Sequence, residues 1–269
     1  MTQTAIPQIL NTNFPYHIIW EKLPDDFVLP DDPVDNINQP TLAAALTDSL
    51  ENAGKLADNT LTTTNYGICT KINDKFVVKA PDWSYIANIT VPRAEVNRSY
   101  TPQLQGDVPA IVMEFLSDTD GNEYSNKPTY PPGKWFFYEK ILKVPNYVIF
   151  EPVQGLIELY QLNESGEYQL QAANEEGRYW ISSLNLYLGV WEGIRENRMG
   201  YWLRWWTEQG ELLLWGSELA LQERQRANAE HQRANAEHQR ANAEYQRAER
   251  LAAILREQGI DPEGIDLCE

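Results

Sequence analysis

Residues Ile111-Val112-Met113-Glu114-Phe115-Leu116 form an apolar run interrupted by one carboxylate. A short run of this kind reads as a buried strand. Desolvating a carboxylate costs several kcal/mol unless something pairs with it. The fold must therefore bring Glu114 a partner. Paired with a structural lysine or arginine, Glu114 is inert; bound to a metal, it is functional. Pro81-Asp82 precedes the run, and Lys134 follows it at the start of a helical pattern. Two carboxylates and a lysine are the minimum set for holding magnesium against a phosphodiester and positioning a water. Each residue alone has a bland reading. Pro-Asp pairs are common in turns, and an inward lysine can snorkel to the surface.

Composition removes competing chemistries. The histidines are His17, His231 and His238, and the cysteines are Cys69 and Cys268. A Ser-His-Asp or Cys-His site in the body would have to recruit His17 from the N-terminal arm. A Cys/His zinc cluster lacks ligands, and neither Gly-x-Gly-x-x-Gly nor Gly-Lys-Ser/Thr occurs. Two distant cysteines give no disulfide framework, which fits a reducing compartment. No apolar run is long enough to span a bilayer, and no basic-then-apolar leader opens the chain. The expectation is a cytoplasmic protein without a membrane partner. The net charge is −17; residues 216–269 hold 7 Arg against 11 acids, which leaves −13 on residues 1–215. That is a poor footprint for gripping a polyanion. A nucleic-acid role would need a local basic strip or metal ions.

Punctuation divides the chain. Residues 1–40, rich in Pro, Asp and Asn, read as an irregular arm. Leu42, Ala45, Leu46 and Leu50 predict a helix from Pro40 to about Ala53, stopped by Gly54. Residues 60–86 predict strands, with Asn73-Asp74 as a turn. Residues 92–109 and 117–133 read as loops. Lys134 to Lys143 predicts a helix with Lys134, Tyr138, Ile141 and Leu142 on one stripe. Lys134 thus shares the core-facing side, and Pro145 ends the helix. Tyr147–Phe150 predicts another buried strand. Leu156–Leu162 and Tyr168–Ala172 predict a meander turning at Glu164-Ser165-Gly166. The aromatic stretch Trp180–Trp215 predicts further strands, with a turn at Gln209-Gly210 between Trp202–Trp206 and Leu212–Trp215.

The last segment repeats every seven residues: Gln225–His231, Gln232–His238 and Gln239–Tyr245. Its Ala, Glu, Gln and Arg predict one helix from about Glu218 to Glu257, ended by Gly259 and Pro262. A coiled-coil seam would run through Ala227, His231, Ala234, His238, Ala241, Tyr245, Ala248, Ala252 and Leu255. Alanine supplies little burial, so self-association or docking of a partner helix through 218–257 would be weak.

Lys134-x3-Tyr138-x5-Val144-Pro145-Asn146-Tyr147-Val148-Ile149-Phe150-Glu151-Pro152 resembles a hallmark of the Uma-type restriction endonucleases. Ala80-Pro81-Asp82-Trp83 and Val112-Met113-Glu114-Phe115-Leu116-Ser117 resemble that family's other two motifs. The family belongs to the PD-(D/E)XK nuclease superfamily, and the resemblance covers roughly residues 40–160. It implies an α+β fold: a mixed central β-sheet flanked by helices, with a β-rich extension and a long C-terminal helix. The expected domains are an arm at 1–40, a nuclease-like core at 41–160, an aromatic extension at 161–216 packed on the core, and a helical tail at 217–269. Carried over, Asp82, Glu114 and the backbone carbonyl of Phe115 hold Mg2+, or Mn2+ in its place. Lys134 orients the attacking water. Tyr138 either orders that lysine, contacts phosphate or belongs to the core, and Glu51 stands where an early helix would add an acid. The superfamily pattern places a lysine two residues after the strand acid; that place holds Leu116, so Lys134 has to reach in from its helix. The expected function is magnesium-dependent hydrolysis of DNA. The alternatives are a non-catalytic interaction protein on the same scaffold, working through its tail, and a small-molecule hydrolase using the same carboxylates.

Overall fold

The computed structural model describes residues 16–24, 27, 38–117, 122–259 and 261. Most of the expected irregular arm lies outside these residues, as do Pro262 and Cys268. The chain forms two compact units, Met1–Trp215 and Gly216–Glu269.

In the first unit the elements run β1 (Ile18–Ile19), α1 (Asn38–Asn52), β2 (Leu61–Thr63), β3 (Ile68–Ile72), β4 (Lys75–Lys79), β5 (Trp83–Ile86) and β6 (Ile111–Phe115). After α2 (Lys134–Phe136) come β7 (Asn146–Glu151), β8 (Leu156–Leu162), β9 (Tyr168–Leu170), β10 (Tyr179–Ile181), β11 (Leu186–Arg195) and β12 (Arg198–Trp206). The central sheet has six strands in the order β2-β5-β6-β7-β8-β9. Only β6 and β7 pair in parallel, with Glu114 opposite Ile149. This is an α+β fold around a mixed sheet.

Strand alternation sends the residues of β6 to two faces. Ile111, Met113 and Phe115 join Trp83, Val148 and Phe150 in one buried cluster, capped by Leu42, Leu46 and Leu50 of α1 and by Trp202, Trp205 and Trp215. Val112, Tyr147 and Ile149 face a second cluster with Phe137, Tyr138 and Ile141, closed by Ile68, Ile72 and Val77. Glu114 shares this second face and is fully buried. Apolar burial at about 25 cal/mol per Å² holds both faces, and buried tryptophans bind the layers directionally. The indoles of Trp83, Trp205 and Trp215 donate to Thr47 Oγ1, the Leu46 carbonyl and the Ala45 carbonyl of α1 at 2.9, 3.3 and 3.1 Å.

Several local features differ from the sequence expectations. Inside the arm, β1 pairs with β3. A 3-10 turn at Arg93–Val96 interrupts the loop at 92–109. The helix from Lys134 widens after its first turn: Phe137–Leu142 is π-helical and Lys143 ends it in a left-handed conformation, φ 58°. A π segment inserts one extra residue per turn and re-aims the side chains that follow. The aromatic stretch forms its own three-stranded sheet, β10-β11-β12. It has a hairpin turn at Glu196-Asn197, both at positive φ (51° and 61°), while the expected turn at Gln209-Gly210 follows β12, with Gly210 at φ 84°. The expected strand at Leu212–Trp215 is reduced to a single bridge, Trp206 to Leu212. Asn73-Asp74 does turn between β3 and β4, at φ 47° and 64°.

The second unit contains α3, Gly216–Glu257, 42 residues with no buried side chain. Its composition favours helix throughout, and Arg226 pairs with Glu230 one turn on at 3.4 Å. Gly259 follows its end at φ 75°. Among the described residues no helix is long and apolar enough to cross a membrane.

Candidate active site

The carboxylate of Glu114 has two donors. Tyr138 donates from its hydroxyl to Oε1 at 2.8 Å, and Lys134 donates from Nζ to Oε2 at 3.0 Å. Lys134 opens its helix and Tyr138 follows one turn later, so both reach back to the face of β6 that carries Glu114. The lysine therefore points inward, its ammonium bridging to Glu123 Oε1 at 3.2 Å as well. Glu123, in the preceding loop, is itself buried. Its backbone carbonyl accepts from the Tyr147 hydroxyl at 2.9 Å.

Asp82 arrives from the turn that precedes β5. Its Oδ2 accepts the Phe115 N–H at 2.6 Å, which fixes it beside the residue following Glu114. The Phe115 carbonyl accepts from Gln39 Nε2 at 2.9 Å. Gln39 belongs to the first turn of α1, and the extension holds that turn: Arg198 Nη1 donates to Asn38 Oδ1 at 2.8 Å. The site thus draws on α1, β6, the loop before α2 and the helix from Lys134.

The electrostatics follow from burial. Burial pushes the Glu114 carboxyl up to about 8; the Lys134 charge opposes this and the Asp82 charge adds to it. Burial likewise raises Asp82, to about 6, against the Phe115 N–H and Lys134. For Lys134, burial lowers the pKa, but Glu114 and Glu123 outweigh it and hold the ammonium above its ordinary value. Strong perturbation by desolvation plus a charge partner marks functional sites more often than structural ones.

Asp82, Glu114, Lys134 and Tyr138 come together in this way. Glu51 stands apart, exposed at the far end of α1. Gln39, twelve residues earlier, is separated from it by roughly 18 Å of helical rise. Sequence reasoning did not single out Gln39 or Glu123. Glu123 left no signal beyond lying in the loop before Lys134, and Gln39 left none at all.

Among the described residues no group of three or more His, Cys, Asp or Glu side chains forms a metal cluster. The oxygens at hand are two carboxylates and the Phe115 carbonyl, which keeps a second lone pair beside its bond from Gln39. This hard-oxygen set suits Mg2+, which is held by one or two carboxylates and completes its shell with water and substrate phosphate. By chemical type these donors suit the ion, and both Glu114 oxygens already accept, from Tyr138 and Lys134.

Asp82 from the turn before β5 and Glu114 from β6 thus stand beside an inward lysine on a mixed sheet. The family Uma2, described as "Putative restriction endonuclease", matches residues 27–195, well over half of the chain. The chain belongs to the Uma2 family. No curated protein and no solved structure matches it.

Proposed function

We propose that the protein is a divalent-metal-dependent endonuclease that hydrolyses phosphodiester bonds of DNA. One observation carries this reading: a fully buried glutamate, a desolvated aspartate and an inward lysine occupy one site. Each is costly to bury without a function or a partner. Asp82, Glu114 and the Phe115 carbonyl would hold Mg2+ or Mn2+, which supplies Lewis-acid polarisation of the phosphoryl group.

The chain's own residues do the rest. Lys134 directs a water to the phosphorus and donates to the oxygen on which negative charge accumulates. Glu114 and Glu123 hold that ammonium from two sides. Tyr138 fixes the Glu114 carboxylate, while the Phe115 N–H fixes Asp82. Lys134 serves from its helix because Leu116 stands in the superfamily's strand position.

The test is nicking of supercoiled plasmid by purified protein with Mg2+ or Mn2+, against chelator. Wild type should cut only with metal, and Asp82→Ala should abolish cutting while remaining folded. Equal cutting by Asp82→Ala, or cutting in chelator, would remove the site assignment.

The acidic body favours a second reading, an interaction scaffold working through α3. Removing residues after Gly216 would then abolish partner capture, and wild type would not cut DNA under any metal condition.

A further inference from the structure

A protein carrying −13 on residues 1–215 needs a local cationic surface to hold a polyanion. β4 is an edge strand of the small sheet β1-β3-β4. Its lysines Lys75 and Lys79 share one face, roughly 13 Å apart along the strand. Lysines on edge strands commonly block edge-to-edge aggregation. That accounts for exposed Lys75 but not for Lys79, which is half-buried. Among the described residues Lys79 makes no ion pair. Burial lowers its pKa, and the neighbouring ammoniums of Lys134 and Lys127 lower it further, against the attraction of Glu114. Glu114 is already engaged by Lys134 and Tyr138. An ammonium set among cations without a partner is suited to receiving an anion.

The surface beside it continues the pattern. Tyr130 is 53% exposed, and the Lys75 ammonium lies 4.8 Å from its ring centre. Tyr130 borders two cavities of about 140 Å³ each, one against Lys75 and Pro128, the other against Phe76 and Lys79. Cations interleaved with an exposed aromatic ring are how a groove follows a nucleic-acid strand.

We propose that Lys79, with Lys75, forms the track that holds the phosphate backbone of DNA against the Asp82, Glu114 and Lys134 site. This rests on the nuclease reading above and names the chain's own route for the substrate. Phosphate contacts from this track position the strand, and the ring of Tyr130 packs against sugar or base.

The test is binding of a short fluorescent DNA duplex in chelator, without divalent metal, over roughly 25 to 200 mM salt. A Lys75→Gln/Lys79→Gln variant should bind more weakly, with a log–log salt slope shallower by about 2. Lys75→Arg/Lys79→Arg should restore the slope, and Lys55→Gln, beyond the end of α1, should leave it at the wild-type value. In cleavage the glutamine variant should show raised KM with kcat little changed. Its fold should survive, since Lys79→Gln removes a like-charge neighbour; a thermal melt checks this. An unchanged slope in a wild type that cuts DNA overturns the track and leaves the nuclease reading standing. A wild type that neither binds nor cuts overturns the nuclease reading and the track with it.

Discussion

Glu114→Gln should make the protein more stable while removing a proposed metal ligand. Glu114 is fully buried and its carboxyl is raised from 4.5 to about 8. Between those values the folded protein holds a proton that the unfolded chain has released. Stability therefore falls as pH rises, by about 1.4 kcal/mol per pH unit. At pH 7 the cost is about 3 kcal/mol. A glutamine is neutral throughout; its amide oxygen can accept from Lys134 and its NH2 group can donate to the Tyr138 oxygen. The variant should gain up to about 3 kcal/mol at pH 7 and less than about 1 kcal/mol at pH 5. Urea unfolding at pH 5, 6 and 7 reads this directly. A variant less stable than wild type at pH 7, or a difference that does not change with pH, would refute the reasoning. Stability given up at the site is the usual mark of residues kept for function.

Cleavage at sub-saturating Mg2+ should rise between about pH 6 and 8, because Asp82 and Glu114 must lose protons to bind the ion. Raising the metal concentration should move the profile to lower pH, since metal and proton compete for the same oxygens; a flat profile would contradict this. Gly133→Ala should cost about 1–3 kcal/mol, because an added Cβ would overlap the Ser125 carbonyl oxygen although the backbone there is ordinary, φ −66°. That residue adjoins Lys134, so activity should fall as well; a thermal melt and a cleavage assay check the pair, and an unchanged melt argues against the crowding. Removing residues after Gly216 should leave the melting temperature of the first unit within about 2 °C, since α3 buries no side chain; a larger drop would show that the tail supports the body.

The central pieces of the candidate site stood out in the sequence because they broke local rules. Glu114 interrupts an apolar strand, and Lys134 sits on the apolar stripe of its helix. Asn73-Asp74 announced its turn because both residues tolerate left-handed backbone. What could not be read depended on contacts distant in sequence. Gln39 reaches Phe115 across 76 positions, and an isolated glutamine in a helix carries no trace of that. Glu123 is buried by a loop whose polar composition reads as exposed. Lys79 carries no mark in the sequence of the charges that surround it in the fold. The hairpin at Glu196-Asn197 lacks the usual glycine. The π segment at Phe137–Leu142 has no sequence signature, since its apolar stripe fits an α-helix equally well.

The central claim is that Lys134, from its helix, does the work for which Leu116 leaves no lysine on the strand. Single-turnover DNA cleavage with Mg2+ by Lys134→Met, beside wild type, tests it most directly. Burial already holds the Glu114 carboxyl up at about 8, so it needs no counter-charge at pH 7 and the variant should fold. A loss of about 100-fold or more is expected, the scale of removing one donor that acts on transition-state charge. Cleavage by Lys134→Met at the wild-type rate would contradict it.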